Sequence, residues 1–418
     1  MHVIVLGAGL AGVTSAWYLR QAGFAVTVVD RQPAAGLETS FANGGQISVS
    51  HPEPWANPGA PGQILHWLGR EDAPLLFRPR ADWHQWAWGL QFLVECLPGR
   101  TRRNTLAIVR LALHSRDCLN TLLSETGIEF DRLRKGILHL FFSPREFSDA
   151  GRRAALLREF GMRAEVPDAR ACLDIEPALA YCGDTLQGGL YAPEDETGDA
   201  LAFTQKLAEC CARAGVVFRH GLGITALEAG PDGVTGITAM GGDGSPARIA
   251  ADAYLLALGS FSATLARPLG ERLPIYPVKG YSVTLPLAAD AQAPSVSITD
   301  ESHRIVCSRL GNRLRIAGTA ELTGFDAGIN RARCEAILRR AGQLFPRLQT
   351  AGAPEFWAGL RPATPSNVPV IGRGRLRNLY FNTGHGTLGW TLACGSGQAI
   401  ADIIGGNKPA VEFPFRNL

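Results

Sequence analysis

The chain has 418 residues, 46% of them apolar and 19% charged, with a formal net charge of +3 and a mean hydropathy near zero. That length exceeds one ordinary core, so two domains are expected, and the composition is that of a folded protein rather than a disordered one. Basic residues are scattered among acids instead of clustered, which argues against nucleic acid as a partner.

The N-terminus, Met1-His2-Val3-Ile4-Val5-Leu6, lacks the basic stretch of a signal peptide and runs straight into glycines, so residues 2–6 are expected to form a buried parallel strand. Gly7-Ala8-Gly9-Leu10-Ala11-Gly12 follows. Residues 13–22 then read as a helix closed by Gly23, and residues 24–29 as a second strand ending on Asp30. This is the complete dinucleotide-binding fingerprint in its β-α-β context. Gly7 permits the tight turn, Gly9 lets backbone approach a pyrophosphate, and Gly12 lets helix and strand pack closely. The helix N-terminus offers free N–H groups to the diphosphate. Asp30 should accept from ribose hydroxyls, and Arg31 is grouped with it as a nucleotide contact. The motif begins at residue 7, as it commonly does for FAD. The one other glycine run, Gly221-Leu222-Gly223-Ile224-Thr225-Ala226, has no helix pattern after it and reads as a turn, so NAD is not expected. Glu38 to Ser48 is a loop of small hydroxyls, amides and glycines, of a composition that suits a backbone hugging a flat, polar-edged ring.

Trp83 to Leu93 concentrates aromatic residues, with Trp67 upstream, and Trp83, Ala87 and Leu90 share a helical face. Core packing is the commoner explanation, and a patch for a membrane surface or an electron acceptor is the alternative. Residues 253–258 form an apolar strand ending at Gly259-Ser260. Residues 304–318 read as a hairpin turning at Gly311-Asn312, and residues 325–345 as a helix. Gly384 to Gly389 joins a strand to a helix-like run from Trp390 to Ile404, which would set N–H groups against an electron-rich edge. Nine cysteines, with no Cys-x-x-Cys and no zinc-ligand spacing, suggest a reducing compartment and no metal. No apolar run reaches the ~18 residues of a spanning helix. A cytoplasmic protein is expected, with peripheral contact to the inner face of the membrane left open.

These segments together resemble the FAD-bearing chain of the D-amino acid dehydrogenase family, within the wider D-amino acid oxidase and glycine oxidase superfamily. The resemblance rests on the loop 38–48, on Asp195-Glu196-Thr197-Gly198-Asp199 and on Tyr276-Pro277-Val278-Lys279-Gly280-Tyr281-Ser282. It continues through Trp357-Ala358-Gly359-Leu360-Arg361-Pro362 and Asn382 to Thr391. It implies an α/β plus α+β architecture: a discontinuous Rossmann-like FAD-binding domain (1–50, 191–275 and 355–418) and a substrate domain (51–190 and 276–354) on a mixed, largely antiparallel sheet.

The resemblance also implies the site. Thr39, Ser40, Asn43, Gly44, Gly45, Gln46, Ile47, Gly259, Arg361, Gly384, His385, Gly386, Thr387, Leu388 and Gly389 join the nucleotide fingerprint as FAD contacts. Arg361 is the carboxylate-binding residue, since a planar guanidinium between glycine and proline can grip a carboxylate with two parallel hydrogen bonds. Tyr276, Tyr281 and His385 are candidate catalytic or substrate contacts, His51 and Trp55 would line the entrance, and Lys279 is a weaker candidate near the flavin. The expected reaction is hydride transfer from Cα to the flavin, with oxo acid and ammonia as products and a quinone or carrier as respiratory acceptor. A relative acting on glycine, sarcosine or a cyclic imino acid such as D-proline or hydroxyproline is the alternative.

Overall fold

The computed structural model describes residues 1–418 apart from 68, 72, 183 and 184. Two sheets organise it. The smaller runs Val370–Arg373, Leu379–Thr383, Ala253–Leu256, His2–Leu6, Ala25–Val29, Val217–Arg219, with every pair parallel except the first. Its central strands are buried on both faces, which is why they read as unbroken Val, Ile and Leu. The helix Leu10–Gln21 begins three residues earlier than its apolar pattern suggests, because the glycine turn itself leads into it. Gly7 sits at φ +106°, and a Cβ on Gly12 would lie 1.9 Å from the Gly7 carbonyl oxygen, so the turn closes only without side chains there. The helix Gly389–Ile404 lies against this first helix, tied by Thr14 Oγ1 donating to the Ala393 carbonyl at 3.0 Å.

The larger sheet runs Glu355–Ala363, Tyr276–Pro286, Arg313–Leu322, Ile305–Leu310, Ser297–Asp300, Ile137–Phe141, Gly188–Ala192, with Leu75–Phe77 pairing beside Arg313–Leu322. It is mixed and largely antiparallel; Ser297–Asp300 pairs in parallel with Ile137–Phe141. The strand Glu355–Ala363 hydrogen-bonds into this sheet although the sequence grouped it with the nucleotide segments, so we propose that the substrate-side domain includes it. The hairpin around Gly311 forms as expected. The helix expected over 325–345 is confined to Arg331–Leu344. The segment 221–226 is not a turn: it opens the strand Leu222–Gly230 of a separate three-stranded sheet.

The aromatic segment forms the helix Trp83–Glu95, but core packing does not explain the face shared by Trp83 and Leu90, which are 73% and 61% exposed. The buried face carries Gln85, Trp88 and Phe92. Gln85 can be buried because its amide donates to the Arg78 and Leu322 carbonyls and accepts from the Arg80 N–H.

Candidate active site

Between the two sheets lies a cavity of about 1250 Å³. At one end it is bordered by Gly7, Gly9, Leu10, Ala11, Asp30 and Arg31; Ala8 and Gly12 stand just behind. The Ala8 N–H and the Gln32 N–H donate to the two Asp30 carboxylate oxygens at 2.6 and 2.7 Å, which fixes that carboxylate at the groove edge. Burial pushes its pKa up while those two N–H groups pull it down.

Thr39, Ser40, Asn43, Gly44, Gly45 and Gln46 border the middle of the cavity, and each is anchored or tightly packed. Thr39 Oγ1 donates to the Leu360 carbonyl, Ser40 Oγ accepts from the Leu10 N–H, and the Asn43 side chain accepts from the Gly45 N–H. Gln46 Nε2 donates to the hydroxyls of Ser297 and Thr299 on the larger sheet. Ile47 faces the core instead. The motif at 195–199 buttresses this loop from behind. Gln46 and Ile47 pair with Thr197 and Glu196, the Gly198 N–H donates to the Gly45 carbonyl, and buried Asp195 accepts from the Val49 N–H, the Ser50 N–H and the Ser50 hydroxyl. Burial raises Asp195 to about 7 against those donors.

Arg361 lies at the centre. Its guanidinium lies over Gly280, where a Cβ would stand 2.2 Å from Cζ, and Nη1 donates to the Thr319 carbonyl at 2.9 Å. The larger sheet bends to supply that acceptor. Lys279 pairs with Glu321 and Tyr281 with Gly318, so the facing strand carries one extra residue between them, and Thr319 there has φ +56°. Among the described residues Arg361 has no carboxylate within ion-pair distance, and burial alone pulls it down to about 10. An uncompensated guanidinium on a cavity wall is a site built for an external anion.

Gly259, His385, Gly386, Thr387, Leu388 and Gly389 also border the cavity, whereas Gly384 lies behind them at φ +81°. Ser396 Oγ donates to the Ala393 carbonyl, so His385 Nε2 donates to Ser396 at 3.0 Å and Nδ1 is left as an acceptor. Burial pushes His385 down to about 4, so the ring is neutral.

The tyrosines are placed differently from each other and from expectation. Tyr276 does not border the cavity; it stands behind Trp88, with ring centroids 6.2 Å apart. Tyr281 touches the cavity, but its hydroxyl donates to Glu321. Lys279 is buried beside the same carboxylate and donates to Asp326 at 3.0 Å, away from the cavity. The alternation of the strand Tyr276–Pro286 sends 279 and 281 to the opposite face from 278 and 280.

His51 and Trp55 both line the cavity. Beside His51 lies a polar cluster that the sequence did not suggest: His139, Glu301, Arg153 and Arg304. Burial works against the Glu301 charge, but Arg153 and a hydrogen bond from His139 hold its pKa well below the usual range. Burial drives His51 down to about 3 and lowers His139 as well. No spacing signal could have joined positions 51, 139, 153, 301 and 304; only the strand pairing does.

The FAD-dependent oxidoreductase family matches residues 2–403. The chain belongs to that family. A D-amino acid dehydrogenase of Dechloromonas aromatica is 56% identical over 415 residues, covering 99% of both chains. One of Paramagnetospirillum magneticum is 52% identical over 414 residues, covering 99% of this chain and 97% of the relative. Among solved structures, glycine oxidase of Geobacillus kaustophilus superposes with a TM-score of 0.76 at 22% identity, covering 98% of this chain and 96% of that one. As an FAD-dependent oxidoreductase the chain needs a groove for the whole dinucleotide. The side-chain-free turn at 7–12, the fixed Asp30 carboxylate and the anchored loop 39–46 provide a continuous one, so its residues fit FAD.

Proposed function

We propose that this flavoenzyme oxidises D-amino acids to 2-oxo acids and ammonia and passes the electrons to a respiratory acceptor. The observation that carries the reading is the Arg361 guanidinium, which lines the cavity together with the segment 385–389 and, among the described residues, has no carboxylate at ion-pair distance. Bound FAD supplies the hydride acceptor for Cα. Arg361 grips the substrate carboxylate, and the Thr319 carbonyl and the Gly280 bed fix the direction of that grip, so Cα is presented in one orientation. The amine binds neutral, its lone pair replaces the electrons leaving Cα, and water hydrolyses the resulting imine. Neutral His385 adds no positive charge to compete with Arg361 for the carboxylate. The choice of D substrates rests on the dehydrogenase relatives.

For the acceptor we propose approach from a membrane surface. Trp86, Leu90 and Leu93 border the cavity and are also exposed, and Leu65, Trp83 and Leu97 are exposed apolar residues as well. Arg100, Arg102 and Arg103 are exposed at the start of the next helix, and their charge suits an anionic bilayer. Among the described residues no helix is long and apolar enough to cross a membrane, so contact would be peripheral.

The test is anaerobic mixing of the purified protein with D- and L-amino acids, glycine, sarcosine and proline while flavin absorbance is followed. Bleaching by D-amino acids is expected. Bleaching by sarcosine or proline alone would keep the role of Arg361 and move the substrate, and bleaching by none would end the reading.

A further inference from the structure

His51 lines the cavity and His139 is buried beside it, with ring centroids 5.4 Å apart and planes within 10° of parallel. They arrive from distant segments. His51 follows the loop held by Asp195, and His139 sits in the strand Ile137–Phe141, whose parallel partner Ser297–Asp300 delivers Glu301 immediately beyond its end. One ligand-capable atom from each of His51, His139 and Glu301 lies within 4.8 Å of the others.

The hydrogen bonding fixes what those rings offer. Glu301 accepts from two guanidinium donors, Arg153 at 3.0 Å and Arg304 at 2.6 Å, so toward His139 it acts as an acceptor as well. His139 therefore donates through Nδ1, at 2.8 Å, and its Nε2 carries a bare lone pair. That nitrogen is buried, as is His51 Nδ1, and neither has a hydrogen-bond partner within the described protein. A buried polar atom left unpaired costs its desolvation with nothing in return, and two on stacked rings call for a ligand.

We propose that His51 Nδ1 and His139 Nε2 bind a divalent transition-metal ion of borderline softness (zinc, nickel or copper), with Glu301 orienting His139 from behind. Neutral imidazoles are the ligating form for such ions, and a carboxylate on the far nitrogen is the usual device that fixes a ligating ring. Metal–nitrogen bonds of about 2.0–2.1 Å place two tetrahedral ligands roughly 3.4 Å apart, so a bound ion would draw together side chains whose ligand-capable atoms already gather within 4.8 Å. The local charge permits a cation. Arg153 and Arg304 face the cavity, but so do Glu301, Glu146 and Asp149, the last also paired with exposed Arg152.

The test is equilibrium dialysis of the FAD-loaded enzyme against zinc chloride, with bound metal counted per chain. One zinc per chain is expected, lost in His51→Phe and in His139→Phe, which keep the ring stack but remove the nitrogens. Glu301→Gln should weaken binding about 10- to 100-fold. Cobalt(II) in place of zinc should show visible bands of low-symmetry nitrogen and oxygen coordination. Retained flavin and an unchanged melting temperature establish that each variant is folded; where a phenylalanine fails that control, His51→Leu replaces it. The nine cysteines, none in a disulfide among the described residues, are the competing zinc donors. Stoichiometric zinc that persists in the His51→Phe, His139→Phe double variant would lie with them and overturn the proposal. So would a wild-type protein that takes up no zinc, its two nitrogens then serving water alone.

Discussion

The two ends of the cavity bind by opposite means. At the nucleotide end the protein offers backbone: a side-chain-free turn, a helix N-terminus and one carboxylate locked by two N–H groups. At the substrate end it offers a side-chain charge, Arg361, steadied by a carbonyl from a bulged strand. A backbone site tolerates almost any change except the addition of atoms. A side-chain site tolerates additions nearby and fails when the charge that grips the ligand is removed or turned.

That contrast can be broken at several points. Gly12→Val should have the largest effect, because its first added carbon would meet the Gly7 carbonyl at 1.9 Å, and the purified protein should be colourless or insoluble. Arg361→Ala should keep its flavin spectrum yet lose about 10²- to 10³-fold in kcat/KM, as expected for one charge-assisted pair left unmade. If flavin were lost there as well, the two ends would not be separable. Gly280→Ala should act in the same direction but less, about 10-fold, by displacing the guanidinium without touching its charge.

Asp195 gives a smaller effect, read in pH. Its folded pKa, raised from 3.8 to about 7, means that its contribution to stability is fully present below about pH 4 and is lost as pH rises toward 7. Denaturant unfolding should show stability falling by up to about 1.4 kcal/mol per pH unit in that window from this group, and Asp195→Asn should flatten the slope. The smallest effect belongs to the rim: Trp83→Ser with Leu90→Ser should leave flavin bleaching by substrate intact and reduce flotation with anionic vesicles.

How much of this was legible depends on chain distance. The strand, turn, helix and acid of the nucleotide end lie within residues 2–30, so local pattern carried them. Arg361 stood out through its Gly-Leu-Arg-Pro setting. The two tyrosines did not sort themselves, because a bulge and strand alternation decide which face each takes, and the sequence between 276 and 281 shows neither. The cluster of His51, His139 and Glu301 left no trace, since its members meet only through a parallel pairing of strands more than 150 residues apart. The exposed face of the aromatic helix was misjudged because Gln85, polar in sequence, is the residue that turns inward.

That no carboxylate among the described residues pairs with Arg361 also governs how the reaction ends. A 2-oxo acid keeps the carboxylate by which the amino acid was held, so the guanidinium retains product as readily as it captures substrate. Turnover under accumulating oxo acid should slow through competition for that one cation, and simple carboxylates with no amine should jam the entrance in the same way. The feature that makes binding simple thereby makes departure the step most exposed to what surrounds the enzyme.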